Sequence, residues 1–367
     1  MKGTIIYYGG FSLPDKNAAA NRVVSNGKIF RDLGYRVIFL GADYDDNSYS
    51  GIKRINDEMV CEAHSSGVVQ WVKQLLFFSN LKSLVKNEAE TSLVILYNVP
   101  FITLVLAKLF LNARGIEVAY DCTEWTQVTD GSVIKRIFKY VDELFIRRLM
   151  HLVADKVIVI SDKMLEAYKK NKKLIKLPPL VDLSQEMWHQ SVEKNKGEYT
   201  FCFAGFPDGN KDYIDVVVKA FSLLECDNTK LNIVGITKEQ FKELYSDIKL
   251  SENIEFLGKV SHNESIKQIL LCDCYVFIRP SDRRNNAGFP TKFVESFTCG
   301  GKIITTDVSD VKKFADDDCL ILDSTELSLL QNAMRNVINK KDVSKEKKLR
   351  DTFDYKNYID KTQHWLD

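Results

Sequence analysis

The chain has almost no net charge, few prolines, no paired-cysteine motif and no long apolar run, and each shortage removes a class of function. Its 51 lysines and arginines against 50 aspartates and glutamates leave +1 at neutral pH, with no long block of one sign. Nucleic-acid binders carry a basic patch or stripe, so nucleic acid is not expected as a partner. The eight cysteines (Cys61, Cys122, Cys202, Cys226, Cys272, Cys274, Cys299 and Cys319) form no CxxC and no His/Cys cluster. That argues against a structural zinc site and a disulfide framework, and for a reducing, cytoplasmic setting. No segment approaches the about 18 uninterrupted apolar residues of a spanning helix, and the opening MKGTIIYYGG meets a glycine pair before an h-region can form. A soluble or at most membrane-peripheral chain is expected. Of only seven prolines, two are adjacent, Pro178 and Pro179, and a polar run follows them; the stretch 177–198 reads as a linker.

At 367 residues the chain is two to three times a common domain length, which favours two domains. Short apolar, β-branched runs alternate with helical periodicities. Before the proline pair they are 3–9, 36–41, 92–98, 116–121 and 156–161; after it, 199–205, 230–235, 254–258, 274–279, 302–307 and 319–323. Near-continuous apolar strands separated by helices imply parallel sheets covered on both faces, hence two doubly wound α/β domains.

In such sheets ligands bind beyond the carboxyl ends of the strands, so the motifs there matter most. GGFSLPDKNAAANRV follows the first strand; Gly9 and Gly10 permit either a tight turn or close approach to a ligand. FAGFPDGNKDYIDVVVKAF follows the first strand of the second half, where Gly205 ends the strand and Lys211 precedes a helix, placed to face a phosphate. NNAGFPTKFVESFTCGG follows the strand 274–279. The loop SDRRNNAG leads to Phe289 and Pro290, which open a helix closed by Gly300. The end of that helix, at Thr291, suits a diphosphate, and Glu295 one turn on can accept two hydroxyl hydrogen bonds from a ribose. Its aromatic neighbours Phe293 and Phe297 favour that purpose over a merely solvated carboxylate.

With these residues in view the chain resembles the GT-B fold glycosyltransferases of glycosyltransferase family 4, particularly those that build bacterial surface polysaccharides. The likeness runs from the first glycine loop through KVIVISDKM and LPPLVDL to AGFPDGNKD and NNAGFPTKFVESFTCGGKIITTDVSDV, nearly the whole chain. It implies two Rossmann-like domains facing each other across a cleft: 1–183 on the acceptor side, a linker at 184–198, a nucleotide-sugar domain at 199–350, and a terminal helix at 351–367 returning to the first domain. It implies a retaining, metal-independent transfer from a nucleotide sugar to a glycan or lipid-linked acceptor at the inner face of the membrane, with no cofactor. Gly9, Gly10, Gly205, Arg284, Asn286, Gly288, Phe289, Pro290, Thr291, Lys292 and Glu295 would bind the donor, with Lys211 stabilising the leaving diphosphate. No Asp-x-Asp stands at a strand end as a cation site; Asp273, in LCDCYV, lies at a strand entry.

The resemblance is broken at one place. The family's first glutamate, which contacts the donor sugar, corresponds to Ala287 here, and Arg283, Arg284, Asn285 or Asn286 is expected to take over its contacts. The basic residue that accompanies the phosphate lysine has no counterpart near Phe206; Lys292 is the substitute. In the first domain AYDCTEWTQ ends a strand, where Asp121 or Glu124 would orient an acceptor hydroxyl and Trp125 stack on a sugar, or else the stretch is an N-cap with a core tryptophan. The segments 68–86 and 133–153 interleave aromatics with Lys and Arg, as interfacial helices and ordinary packed helices both do. Two other functions stand beside transfer: a nucleotide-sugar epimerase of the same fold, and a non-catalytic nucleotide-sugar-binding subunit.

Overall fold

The computed structural model describes residues 2–46, 51–63, 76–125, 133–193, 197–205, 211–340 and 348–367. The chain divides into two units, Met1–Leu180 with Tyr355–Asp367, and Val181–Asp354.

In the first unit β1 (Thr4–Gly9), α1 (Ala18–Asp32), β2 (Arg36–Asp43), β3 (Ile52–Arg54), β4 (Met59–Ala63), α2 (Ser79–Asn87), β5 (Thr91–Tyr97), α3 (Phe101–Asn112), β6 (Glu117–Cys122), α4 (Val133–Val153), β7 (Lys156–Val159), α5 (Asp162–Ala167) and β8 (Leu174–Lys176) follow one another. Their sheet runs β3-β4-β2-β1-β5-β6-β7-β8, parallel except where β3 pairs with β4. Every residue of β1 is buried, as a strand covered on both faces requires. The sheet reverses its direction of growth between β1 and β5, because the chain leaves β1 toward β2 and returns on the other side at β5. Helix α1 starts at Asn17, whose side chain accepts from the Ala20 amide, and buries Ala20, Val23, Ile29 and Phe30 against the sheet.

In the second unit β9 (Tyr199–Ala204), α6 (Ile214–Ser222), β10 (Thr229–Val234), α7 (Lys238–Leu244), β11 (Ile254–Gly258), α8 (His262–Leu271), β12 (Cys274–Val276), α9 (Arg283–Ala287), α10 (Thr291–Thr298), β13 (Lys302–Thr306), α11 (Val311–Phe314), β14 (Cys319–Leu322) and α12 (Leu327–Asn339) build a parallel sheet in the order β11-β10-β9-β12-β13-β14. Its reversal lies between β9 and β12. The doubly wound α/β class expected from the alternating runs is what the structure has.

After α12 the chain re-enters the first unit as a 3-10 turn, Tyr355–Tyr358, and α13 (Ile359–Leu366). Trp365, 5% exposed, packs near Phe30 of α1, and its Nε1 donates to the Lys173 carbonyl at 2.8 Å. Each large apolar side chain buried in this way contributes about 1.5–3 kcal/mol.

Five elements differ from the sequence reading. The strands β3, β4 and β8 were not anticipated; IKR and LIK are three residues long and mix charge with apolar groups, too short for a period to register. The loop SDRRNNAG contains the helix α9, opened by Asp282, whose side chain accepts from the Asn285 amide at 2.7 Å. Within the expected linker 184–198, residues Glu186–Trp188 form a 3-10 turn of the second unit, and Trp188 is buried.

Candidate functional site

The reversal between β9 and β12 places the carboxyl ends of two neighbouring strands beside helix starts, the position where open α/β sheets bind ligands. Among the described residues, charged side chains at these ends are tightly joined.

β9 ends at Ala204, and Gly205 follows with φ +143°. A Cβ on residue 205 would lie 1.9 Å from Nζ of Lys292, so only glycine lets that side chain lie over the strand end. Lys292 is the second residue of α10 and is buried. Its Nζ donates to Oδ2 of Asp212 at 2.8 Å and lies 4.9 Å from the Phe203 ring centroid. Asp212 also receives Nε of Arg279 at Oδ1, 2.5 Å away. Arg279 is held in turn by Thr306, whose Oγ1 accepts from its backbone amide and donates to its carbonyl. One buried carboxylate therefore stands between two cations, and the three groups together carry net positive charge.

Burial alone would push the Asp212 carboxyl up; the Arg279 guanidinium and Lys292 ammonium override it and hold it well below the usual carboxylate range. The Lys292 ammonium is nonetheless shifted down. Burial, with repulsion from Arg279 added, outweighs the attraction of a carboxylate it must share. The same cluster thus keeps Asp212 charged and leaves Lys292 under-compensated, a cation that an incoming anion would stabilise.

Lys292 enters this cluster because α10 is anchored firmly behind it. Phe289, Phe293 and Phe297 pack with Phe314 and Phe353, ring centroids 4.9–6.3 Å apart. Pro290 stands at the N-cap, and the Phe293 and Val294 amides bond back to its carbonyl. Thr291 and Lys292, ahead of the first intrahelical bond, carry the amides that helix starts offer to anions. Glu295 lies one turn on; its Oε1 is 3.0 Å from Nε2 of His262, the first residue of α8.

The loop before α10 is built on its own side chains. Asn286 donates to Ser281 and accepts from the Ser309 amide, Asn285 donates to the Pro280 carbonyl, and Ser309 donates to the Gly288 carbonyl. The two asparagines, expected to reach a sugar, are spent on the scaffold. Arg283 is exposed and Arg284 half-buried, while Ala287 is fully buried. Lys211 is half-buried immediately before Asp212. Phe206, where a basic partner was sought, lies outside the described residues.

In the first unit the structure assigns other parts to several expected site residues. Asp121 is fully buried, paired with Arg22 at 2.8 Å and accepting from the Tyr7 hydroxyl at 2.7 Å. Arg22 also donates to the carbonyls of Leu177 and Pro178. Both Asp121 oxygens are thereby engaged in tying β6, α1 and the proline turn together, with none facing an acceptor. Trp125, expected to stack on a sugar, is the core alternative instead: 6% exposed, donating from Nε1 to the Tyr168 hydroxyl at 2.9 Å. Gly9 is needed by its neighbour strand, since a Cβ there would lie 2.4 Å from the Tyr97 carbonyl oxygen. Gly10 and Glu124 are exposed.

Three residues of the cluster escaped the sequence reading: Asp212, Arg279 and His262. Asp212 follows Lys211 directly, and Arg279 precedes Pro280 at the end of an apolar strand, so a charge in an otherwise apolar run was the available signal. For His262 the signal was Ser261-His262-Asn263-Glu264, a helix start just past a strand-ending glycine.

Residues 184–358 match the Glycosyl transferases group 1 family, covering nearly all of the second unit. No curated protein matches the chain in sequence. Among solved structures it is similar to sucrose-phosphate synthase from Thermosynechococcus elongatus, with a TM-score of 0.74 at 14% identity over 99% of this chain and 98% of that one. It is similar to Anabaena HepE in complex with UDP and glucose, with a TM-score of 0.68 at 14% identity over 99% of both chains. The lipopolysaccharide outer core galactosyltransferase WaaB superposes with a TM-score of 0.63 at 12% identity over 99% of this chain and 98% of that one. At such identities the likeness is one of fold, and the fold is GT-B.

Proposed function

We propose that this chain, a nucleotide-sugar-dependent glycosyltransferase with a group 1 domain at residues 184–358, moves a sugar to a glycan or lipid-linked acceptor in surface polysaccharide synthesis, with retention and without a metal ion. The observation that carries the reading is the Lys292–Asp212–Arg279 cluster at the ends of β9 and β12, beside the start of α10. As the bond from the sugar's anomeric carbon to the diphosphate breaks, negative charge grows on the leaving oxygen. Lys211, Lys292 and the first amides of α10 are preorganised to meet that charge, the role a divalent cation would otherwise have. Glu295, one turn along the same helix, holds the ribose hydroxyls.

UDP and glucose in the similar HepE structure support a nucleoside diphosphate donor, and the lipopolysaccharide substrate of WaaB supports a surface glycan acceptor. A peripheral contact with the cytoplasmic membrane face goes with a lipid-linked acceptor. No helix among the described residues is long and apolar enough to cross a membrane. On α4, however, Val133, Ile137, Val141, Phe145, Leu149 and Leu152 are all exposed at near four-residue steps, with Arg136, Lys139 and Arg148 exposed beside them. An apolar stripe flanked by cations suits an anionic lipid surface.

The test is a thermal-shift series with UDP, ADP, GDP and CDP, followed by hydrolysis assays of sugar donors bearing the best nucleotide. A ligand that binds only the folded chain raises Tm by mass action; at about 100 times its Kd it adds about 2.7 kcal/mol. No shift with any of the four, and no donor hydrolysis, would overturn the reading.

A further inference from the structure

We propose that His262 is a positioning residue for Glu295, presetting the carboxylate that receives the ribose of the donor. The inference rests on the reading that Glu295 holds the ribose, and adds a residue from another element to that contact. His262 Nε2 and Glu295 Oε1 are 3.0 Å apart, and the two side chains are 21% and 22% exposed. They sit at the surface of the site, open enough to meet a ligand and covered enough to keep the bond between them.

The histidine is itself well held. Ser261 caps α8, its Oγ accepting from the Glu264 amide at 3.2 Å. Gln190, just past the turn Glu186–Trp188, donates to Oδ1 of Asn263 at 2.6 Å, fixing the same first turn from a second side. Among the described residues the side-chain hydrogen bond of Glu295 is the one to His262, and without it a glutamate side chain has several torsions to order. An imidazole N–H on Oε1 selects one of those arrangements. It uses one of about four lone-pair directions, leaving Oε2 and part of Oε1 for two neighbouring hydroxyl groups. A carboxylate set in place before the ligand arrives spends less of the binding energy on ordering. His262 and Glu295 lie 33 positions apart on different helices, so the bond also ties the start of α8 to α10 beside the strand ends.

The experiment is isothermal titration of wild type, Glu295→Ala, His262→Ala and His262→Gln with the tightest binder among UDP, ADP, GDP and CDP, and with its 2′-deoxy counterpart. His262→Asn, too short to reach Glu295, replaces His262→Ala if thermal melting shows the latter unfolded. Hydrogen bonds to a charged group predict that losing the hydroxyl costs wild type about 10-fold or more in affinity. That penalty should shrink to about threefold or less in His262→Ala, and the amide of His262→Gln should restore most of it. A purely structural histidine would weaken both ligands alike and leave the ratio unchanged; that result overturns the proposal while Glu295→Ala, if it alone removes the penalty, keeps the ribose reading. A full penalty in Glu295→Ala, or no binding by any of the four nucleotides, overturns the ribose reading and the proposal with it.

Discussion

The ammonium of Lys292 occupies the space a side chain on residue 205 would need: a Cβ there would lie 1.9 Å from Nζ and 2.4 Å from Cε. Gly205→Ala therefore faces both a clash and a φ of +143°, a region L side chains rarely adopt. The variant is expected to lose about 1–3 kcal/mol of stability from the backbone conformation alone, plus the cost of moving the lysine. Urea unfolding of Gly205→Ala in wild-type and Lys292→Ala backgrounds separates the two, because the clash exists only when the lysine is present. Equal costs in both backgrounds would show that the lysine does not lie over the glycine.

Asp212 carries a pH signature. Its carboxyl is held below the usual range in the folded chain, so the stability it confers is fully present above the ordinary carboxylate value and is lost as pH falls through the depressed one. Asp212→Asn should destabilise the chain at pH 7 by about 3–5 kcal/mol, since it strips the shared partner from two buried cations. Below about pH 5 the wild type should lose stability more steeply than the variant, narrowing the gap. Urea midpoints at pH 7, 5 and 3 test this; parallel pH profiles would mean that Asp212 does not titrate below its ordinary value.

Asp121, in the first unit, should behave as a structural residue. Asp121→Asn weakens a fully buried pair with Arg22, and a loss of about 3–5 kcal/mol is expected. Turnover per folded molecule should stay within about threefold of wild type, because no transition-state contact is removed. A large fall in turnover at unchanged Tm would return Asp121 to the catalytic part expected from its place at a strand end.

How much of this was legible in sequence depends on how locally each feature is written. Strands such as β9 and β13 announce themselves, being short apolar runs bounded by turn residues, and two sheets follow from their alternation with helices. The helix α10 was legible from Pro290, its aromatic face and Gly300. What could not be read was pairing at a distance. Lys292 meets Asp212 across 80 positions, and Asp121 meets Arg22 across 99, so nothing local marked one carboxylate as the centre of a cation cluster and the other as a buried brace. The helix α9 was missed for the opposite reason: a five-residue polar turn carries no apolar period, only its Asp282 cap.

The exposed apolar stripe of α4 makes a separate prediction. Replacing Ile137 and Leu149 by Asp places charges in the middle of the stripe, where both residues are now exposed at 59% and 38%. Co-sedimentation with vesicles of phosphatidylglycerol should fall by about 10-fold or more, since apolar insertion is lost and anionic lipid repels the new charges. Folding should be unaffected, because neither side chain is in the core. Unchanged sedimentation would remove α4 from any membrane contact.

Glu295 and Lys211 should fail in different ways when truncated. Glu295→Ala removes charge-assisted hydrogen bonds that exist both before and during bond cleavage. It should weaken nucleoside diphosphate binding by about 1.5–3 kcal/mol, with a smaller effect on turnover of bound donor. Lys211→Ala removes a cation whose opposing charge grows as the diphosphate leaves, so turnover at saturating donor should fall by about 100-fold or more. The measurements are dissociation constants of the nucleoside diphosphate and saturated turnover for each variant, after circular dichroism has established that both are folded. Wild-type turnover in Lys211→Ala would take that lysine out of the transition state and leave Lys292 and the start of α10 to meet the leaving group. Unchanged affinity in Glu295→Ala would place the ribose elsewhere, since a lost carboxylate contact has no way to remain silent in binding.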